Sequence, residues 1–179
     1  MSSPESLSRV SRRSALVLGL AAGLGGCLRP MYGPTVSGAR LQDVLAEIEV
    51  QPVVTRVGQE RIGHYLRSEL VYALDGSGQP KPKRYRLLIR VDESVQTPIV
   101  DTVSGRASSA TIFASANVTL VSLADGVTVL NDSAAGTASY DRFVQRFANI
   151  RAARDAEIRA AKLLADQIRT RLAIALSAA

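Results

Sequence analysis

The sequence predicts an α+β two-layer sandwich, in which two helices pack on one face of a four-stranded, largely antiparallel sheet. Apolar and polar residues alternate in four segments, as in half-buried strands, and apolar residues recur at helical spacing in two others. Loops rich in Gly, Pro, Asp and Ser separate several of these segments. The predicted order is strand, helix, three strands and helix, at residues 45–54, 57–74, 84–92, 108–123, 127–140 and 143–177.

The first predicted strand alternates around Ile48 and Val50, with charged or polar residues between them, and Pro52 ends it or confines it to a sheet edge. The first helix follows, because apolar residues recur there every three or four positions. Its predicted apolar face consists of Ile62, Leu66, Leu70 and Ala73.

Three consecutive strands make up the predicted meander. In the first of them Tyr85, Leu87, Ile89 and Val91 share one face, and an Asp-Gly turn at residues 125–126 connects the other two. The long middle strand has the clearest alternation of the chain. Its predicted inner face consists of Ile112, Ala114, Ala116, Val118 and Leu120, and its outer face of Thr111, Phe113, Ser115, Asn117 and Thr119.

The last helix is the longest periodic segment, and charged residues occupy the positions outside its apolar face. That predicted face consists of Phe147, Ile150, Ile158, Ala161, Leu164, Ala165, Ile168, Leu172 and Leu176.

The first residues predict an export signal followed by a lipid anchor. A basic head that contains Arg12 and Arg13 precedes an apolar stretch at residues 15–24, which is too short for a bilayer that needs ~20 residues. Leu24-Gly25-Gly26-Cys27 looks like a bacterial lipobox, in which the cysteine receives a diacylglyceryl group and an N-acyl chain. We therefore expect a signal peptide at 1–26, the lipidated Cys27 and a tether at 27–40, and a single α/β domain at 41–179.

Composition argues against most catalytic and metal chemistry. The chain has one Cys and one His, which leaves no multi-histidine metal site and no cysteine zinc cluster. His64 is more typical of a helix surface than of a catalytic base, and Asp92 with Glu93 is more typical of a solvated strand end than of a cation site. With no Trp and few other aromatic residues, the chain also lacks the stacking platforms of nucleic-acid binders. We expect no enzyme activity, no cofactor and no nucleic-acid partner.

The chain is basic, with a net charge of +6, and its basic residues are the one group of side chains that has a functional interpretation. Arginine suits phosphate because its planar guanidinium donates paired hydrogen bonds. Contact with a phosphorylated lipid of the envelope and a merely solvated, solubilising surface both remain open. The residues are Lys81, Lys83, Arg84, Arg86 and Arg90, then Arg106, and then Arg142, Arg146, Arg151 and Arg154.

Four stretches together resemble the LPS-assembly lipoprotein family (LptE, also called RlpB), particularly its alphaproteobacterial members. They are CLRPMYG at 27–33, GQERIGHYLRSEL at 58–70, YRL at 85–87 and SANVTL at 115–120. An Asn that is common near the centre of the family's first helix is absent here. The resemblance implies two helices against a four-stranded sheet, and it covers nearly the whole chain after the signal.

The resemblance implies a plug inside the β-barrel translocon LptD, help with the folding of that barrel, and binding of lipopolysaccharide. The family's basic residue near the start of the last helix falls on Arg154, with Arg151 one turn before it. A second basic position of the family falls on the loop at 101–103, where Arg106 is only a neighbour. Leu28 after the lipidated cysteine is typical of outer-membrane lipoproteins, which face the periplasm.

Two other functions remain open from the sequence. An auxiliary lipoprotein that binds lipid for an envelope transporter would need a deep apolar cavity. An envelope enzyme would need a cleft that gathers His64 or paired carboxylates.

Overall fold

The computed structural model describes residue 35 and residues 38–76, 81–97 and 107–177. Within these ranges the elements are α1 (Leu41–Leu45), β1 (Ile48–Val50), α2 (Glu60–Leu74), β2 (Tyr85–Gln96), β3 (Ser109–Ser122), β4 (Thr128–Asp141) and α3 (Arg146–Ser177). The predicted α+β class is confirmed, with helices packed on a four-stranded sheet. The short helix α1 was not predicted; it precedes the segment that was predicted as the first strand and overlaps it only at Leu45.

The sheet is mixed and has the strand order β1-β2-β3-β4. β1 runs parallel to β2, with Ile48 opposite Tyr85, and α2 lies in the connection that a parallel pair requires. β2, β3 and β4 form an antiparallel meander. The pairing of β3 with β4 shifts register between Leu120 and Val121. Three strands therefore extend well beyond the short β1.

The core lies between the helices and one face of the sheet. The inner face predicted for β3 is confirmed, because all five of its apolar side chains are buried. α2 contributes its predicted leucines and Ile62, and α1, which contacts α3, adds two more leucines. The largest fully buried side chains are Leu41, Leu45, Ile62, Leu66, Leu70, Leu87, Ile112, Leu120, Leu164, Ile168, Leu172 and Leu176.

Helix α3 runs along β4 and covers the outer edge of the sheet. The Gln167 side chain accepts a hydrogen bond from the Ala135 backbone N–H at 3.3 Å and donates one to the Ala135 carbonyl at 2.8 Å. The Arg159 guanidinium donates to the Ser139 carbonyl at 2.9 Å. An edge strand presents unpaired backbone groups, and these side chains satisfy several of those on β4.

At the opposite edge of the sheet, other residues satisfy the backbone groups of β2 where it extends past the end of β1. Val54 pairs with β2, its N–H donating to the Ile89 carbonyl and its carbonyl accepting from the Val91 N–H, both at 2.9 Å. Beyond it, the Gln59 side chain donates to the Glu93 carbonyl at 2.7 Å and accepts from the Glu93 N–H at 3.0 Å. A glutamine amide therefore closes backbone positions at each edge of the sheet.

None of the helices in the described part of the chain is both long and apolar enough to cross a membrane.

Gly136 sets how closely α3 approaches β4. A Cβ atom at this position would lie 2.8 Å from the Ala160 carbonyl oxygen and 3.3 Å from Leu164 Cγ. A Cβ atom less than about 3 Å from backbone would force the helix to shift. The close packing of α3 on β4 therefore requires glycine at this position.

We expect Gly136→Ala to lower the free energy of unfolding by about 1–3 kcal/mol in urea titrations, because it forces α3 away from β4. Ala in a strand interior is otherwise more favourable than Gly, so the sign of the change is informative. Ser133→Ala, at an exposed position of the same strand, serves as the control and is expected to change stability by under about 0.5 kcal/mol. An unchanged or more stable Gly136 variant would contradict the close approach.

Candidate ligand-binding surface

The first turns of α3 extend beyond the sheet. The Arg159 guanidinium bonds the Ser139 carbonyl, two residues before β4 ends at Asp141. The first buried residue of α3 is Ala156, ten residues after the helix begins at Arg146. The first turns of the helix therefore lie outside the packed interface with the sheet.

This position corrects part of the predicted apolar face of α3. Ala161, Leu164, Ala165, Ile168, Leu172 and Leu176 are buried as expected. Phe147, Ile150 and Ile158 are not, with exposures of 83%, 46% and 38%. At Phe147 and Ile150 the apolar periodicity continues past the strand that would cover it, whereas Ile158 lies in the covered part of α3 on the side that faces away from the core. The sequence alone did not reveal where that cover ends.

Residues 142–154, here called the α3 tip, combine exposed apolar side chains with arginines. Phe143 and Val144 are 50% and 83% exposed and lie next in sequence to Arg142. Among the described residues, none forms an ion pair with Arg142, Arg146, Arg151 or Arg154, all of which are exposed. The tip itself contains no acidic residue. It therefore presents cations and apolar groups side by side.

Asn149 holds the chain before α3 against its first turns. Its side-chain oxygen accepts a hydrogen bond from the Phe143 N–H at 2.5 Å, and its amide donates to the Phe143 carbonyl at 2.6 Å. These paired bonds fix Phe143 beside the helix. The apolar side chains of the tip are thus carried by a bonded turn and a helix.

Four of the five residues of the other basic cluster pair with acidic side chains, whereas Arg90 forms no ion pair among the described residues. Lys81 pairs with Asp43 at 2.5 Å and Lys83 with Asp75 at 2.8 Å, each joining the approach to β2 to a neighbouring element. The next two arginines pair with the acidic residues of the β1 segment, Arg84 with Glu47 at 3.4 Å and Arg86 with Glu49 at 3.7 Å. The sequence could not separate these two clusters. The structure shows that most of the first cluster is neutralised, whereas none of the four arginines of the α3 tip forms an ion pair with a described residue.

A charged groove lies beside the tip, between the start of α2, the end of β2 and α3. It has a volume of about 470 Å³, and its lining includes Gln59, Arg61, Glu93, Ala153 and Glu157. Arg61 and Glu157 pair at 2.6 Å, and the Glu157 side chain is only 6% exposed. The predictions overlooked Glu157 because it interrupts an otherwise apolar face.

Burial raises the pKa of Glu93 above its ordinary value, and the nearby Glu157 carboxylate raises it further, whereas Arg61 lowers it. The native state therefore holds this proton more tightly than the unfolded chain does. By linkage, the contribution of Glu93 to stability is greatest below its unfolded pKa and is lost as pH rises through the folded value.

The predicted site residues have different outcomes. Arg151 and Arg154 both lie on the α3 tip, one turn apart and exposed. Cys27, with its predicted acyl chains, and Arg106 lie outside the described residues, as does the predicted signal peptide. His64 is exposed on α2, and its ring meets that of Tyr65 edge-on at 6.0 Å. Asp92 pairs with Arg56 at 2.6 Å.

No family model matches the chain, and no curated protein matches it. Among solved structures, a protein from Caulobacter crescentus assigned as a lipoprotein aligns with a TM-score of 0.59 and 26% identity. The alignment covers 76% of this chain and 96% of that one. The chain therefore shares the fold of a protein that is itself assigned as a lipoprotein.

Two weaker similarities have the same character. A minor lipoprotein from Acinetobacter baumannii gives a TM-score of 0.44 at 11% identity, covering 73% of this chain and 94% of that one. Rare lipoprotein B from Shewanella oneidensis gives 0.41 at 9% identity, covering 69% and 96%. Because both TM-scores are below 0.5, neither carries an argument, and the shared fold rests here on the Caulobacter structure.

We expect Glu93→Gln to raise the free energy of unfolding at pH 7 by less than about 1 kcal/mol, because the variant removes a partly buried charge beside Glu157. The gain should shrink as pH falls through the folded pKa of Glu93 and should vanish below about 4, where the carboxyl is protonated in both states. Urea titrations at several pH values measure it.

Asp43→Asn is the control with the opposite sign, since the hydrogen bond from Lys81 lowers the pKa of Asp43. That variant should lose stability at neutral pH. A Glu93 variant that is less stable than the wild type at pH 7 would show that the carboxylate is favoured where it lies.

Proposed function

We propose that this chain is a lipid-anchored lipoprotein of the outer membrane that faces the periplasm. In this proposal it plugs and helps to assemble an LptD-type β-barrel translocon, and it binds lipopolysaccharide on its way to the cell surface. The anchor is the acylated Cys27. The role is one of binding and assembly, with no reaction catalysed and no cofactor beyond the acyl chains.

The α3 tip is the observation that carries the proposal. Lipopolysaccharide joins phosphorylated sugars to acyl chains, so its recognition needs cations next to apolar surface. Arg151 and Arg154 supply unpaired guanidinium groups that suit phosphate, and Phe147 and Ile150 supply exposed apolar area on the same turns. The family resemblance also implies a lipopolysaccharide-binding residue at Arg154.

The outer face of the sheet supports the plug role. The helices cover the inner face, and the outer face of β3 carries small polar side chains, including Ser115 and Asn117, which are exposed. A barrel lumen lined with polar side chains can accept such a face through a wet, mixed interface. A shallow groove of about 420 Å³ around Phe113 and Thr137 gives this face relief that a partner side chain can enter.

The alternative is an auxiliary lipoprotein that carries lipid for an envelope transporter. A carrier must enclose acyl chains in a deep apolar cavity. The space between the helices and the sheet is instead filled by one continuous cluster of buried side chains, from Leu41 to Leu176. This packing favours the plug over the carrier.

The decisive experiment is affinity isolation of the full chain from its native host, followed by identification of co-purifying outer-membrane proteins. We expect one large β-barrel protein to co-purify with the chain, and depletion of the chain to lower both the amount of that barrel and surface lipopolysaccharide. A Cys27→Ala variant should leave the membrane fraction. Normal surface lipopolysaccharide after depletion, with no barrel recovered, would contradict the proposal.

Charge reversal tests the ligand surface. We expect Arg154→Glu to weaken lipopolysaccharide binding in a pull-down by about tenfold, because an attractive contact with phosphate becomes repulsive. Lys162→Glu is the matched control, since this cation is also exposed on α3 but lies beyond the tip. Equal loss of binding in both variants would indicate a general charge effect with no site at Arg154.

A further inference from the structure

The apex of the α3 tip, residues 142–147, exposes three large apolar side chains close together in sequence. Phe143, Val144 and Phe147 lie within five consecutive positions, and Val144 and Phe147 are each 83% exposed. Isolated exposed apolar residues are ordinary, but a contiguous group marks an interaction site. Asn149 bonds both backbone groups of Phe143, so a local hydrogen-bond arrangement supports this exposed group.

The charges at the apex identify the partner. Arg142 and Arg146 directly flank the apolar residues, and no acidic residue lies between positions 142 and 154. Aromatic and aliphatic side chains surrounded by arginines are typical of segments that lie in the headgroup region of a bilayer. Each arginine gains further from an anionic surface, within a Debye length of the headgroups.

We propose that the apex of the α3 tip inserts into the surface of an anionic phospholipid bilayer, with Phe143, Val144 and Phe147 among the acyl chains and the arginines at the phosphates. This contact goes beyond the proposed function, because it requires neither the barrel nor lipopolysaccharide. It would add a second, reversible attachment to the one made by the acyl chains on Cys27. Two attachments would orient the domain on the membrane, whereas one leaves it free to turn.

The test uses the chain from Leu28 onward, which lacks the export signal and the acylated cysteine. This chain retains every described element and core residue, all of which belong to the compact unit that begins at Pro34. Flotation with vesicles of phosphatidylcholine and phosphatidylglycerol should carry the protein upward, and vesicles of phosphatidylcholine alone should carry much less. Raised salt should weaken the binding.

Apolar insertion is tested by the double variant Val144→Ser with Phe147→Ser, which should lower partitioning into the anionic vesicles by about tenfold or more. The matched control is Leu163→Ser with Ile174→Ser, which removes two exposed apolar side chains of α3 outside the tip. Charge is tested by Arg142→Gln with Arg146→Gln, against Arg84→Gln with Arg86→Gln, where the lost charges are already paired.

A second readout avoids disruptive changes. The chain has no Trp, so Phe147→Trp introduces a single fluorophore at the apex. Its emission should shift to the blue with anionic vesicles, while that of Leu163→Trp should not. The proposal is overturned if the wild type does not float, if the tip and control variants float equally, or if the emission of Phe147→Trp stays unchanged. It is also overturned if lipopolysaccharide micelles bind the chain and anionic phospholipid vesicles do not. Binding to lipopolysaccharide alone would leave the proposed function intact.

Discussion

The packing of α3 on β4 is the interaction on which the rest of the structure depends. It buries the longest apolar face of the chain, from Ala156 to Leu176, and it covers an edge of the sheet that would otherwise be bare. Gly136 makes the close approach sterically feasible. How far α3 extends past the end of β4 then determines which residues of the helix are buried. Because the helix extends beyond the strand, the same apolar periodicity yields core at one end and exposed surface at the other.

Much of the fold was predictable because it follows from short-range periodicity. Alternation in β3 assigned its inner face, and helical spacing assigned Leu66 and Leu70 to the core. Two features were not predictable in this way. Helix α1 is only five residues long, and so short a segment gives too few turns for a reliable pattern. The offset of α3 against β4 is a relation between distant segments, and the sequence of neither one states it.

The candidate ligand-binding surface was also predictable only in part. Counting basic residues identified both clusters, and Arg151 and Arg154 were among the residues chosen. Their distinction from Arg84 and Arg86 required knowing which acidic side chains lie across from each cluster, and those partners are 37 residues away in sequence for both arginines. Glu157 was overlooked for a similar reason, since its partner Arg61 belongs to another helix. Charge composition thus predicted a surface for an anionic ligand, and tertiary pairing shows which of the candidate arginines lack an acidic partner.

The glutamine side chains at the two sheet edges matter most for a chain that is held on a membrane. Confinement to a surface raises the local concentration of neighbouring copies, and bare strand edges under such crowding promote growth of one sheet onto the next. Gln59 and Gln167 occupy backbone positions where another copy would otherwise join. In the proposed lipid-anchored state, they would hinder edge-to-edge association of neighbouring copies and leave each copy as a separate molecule.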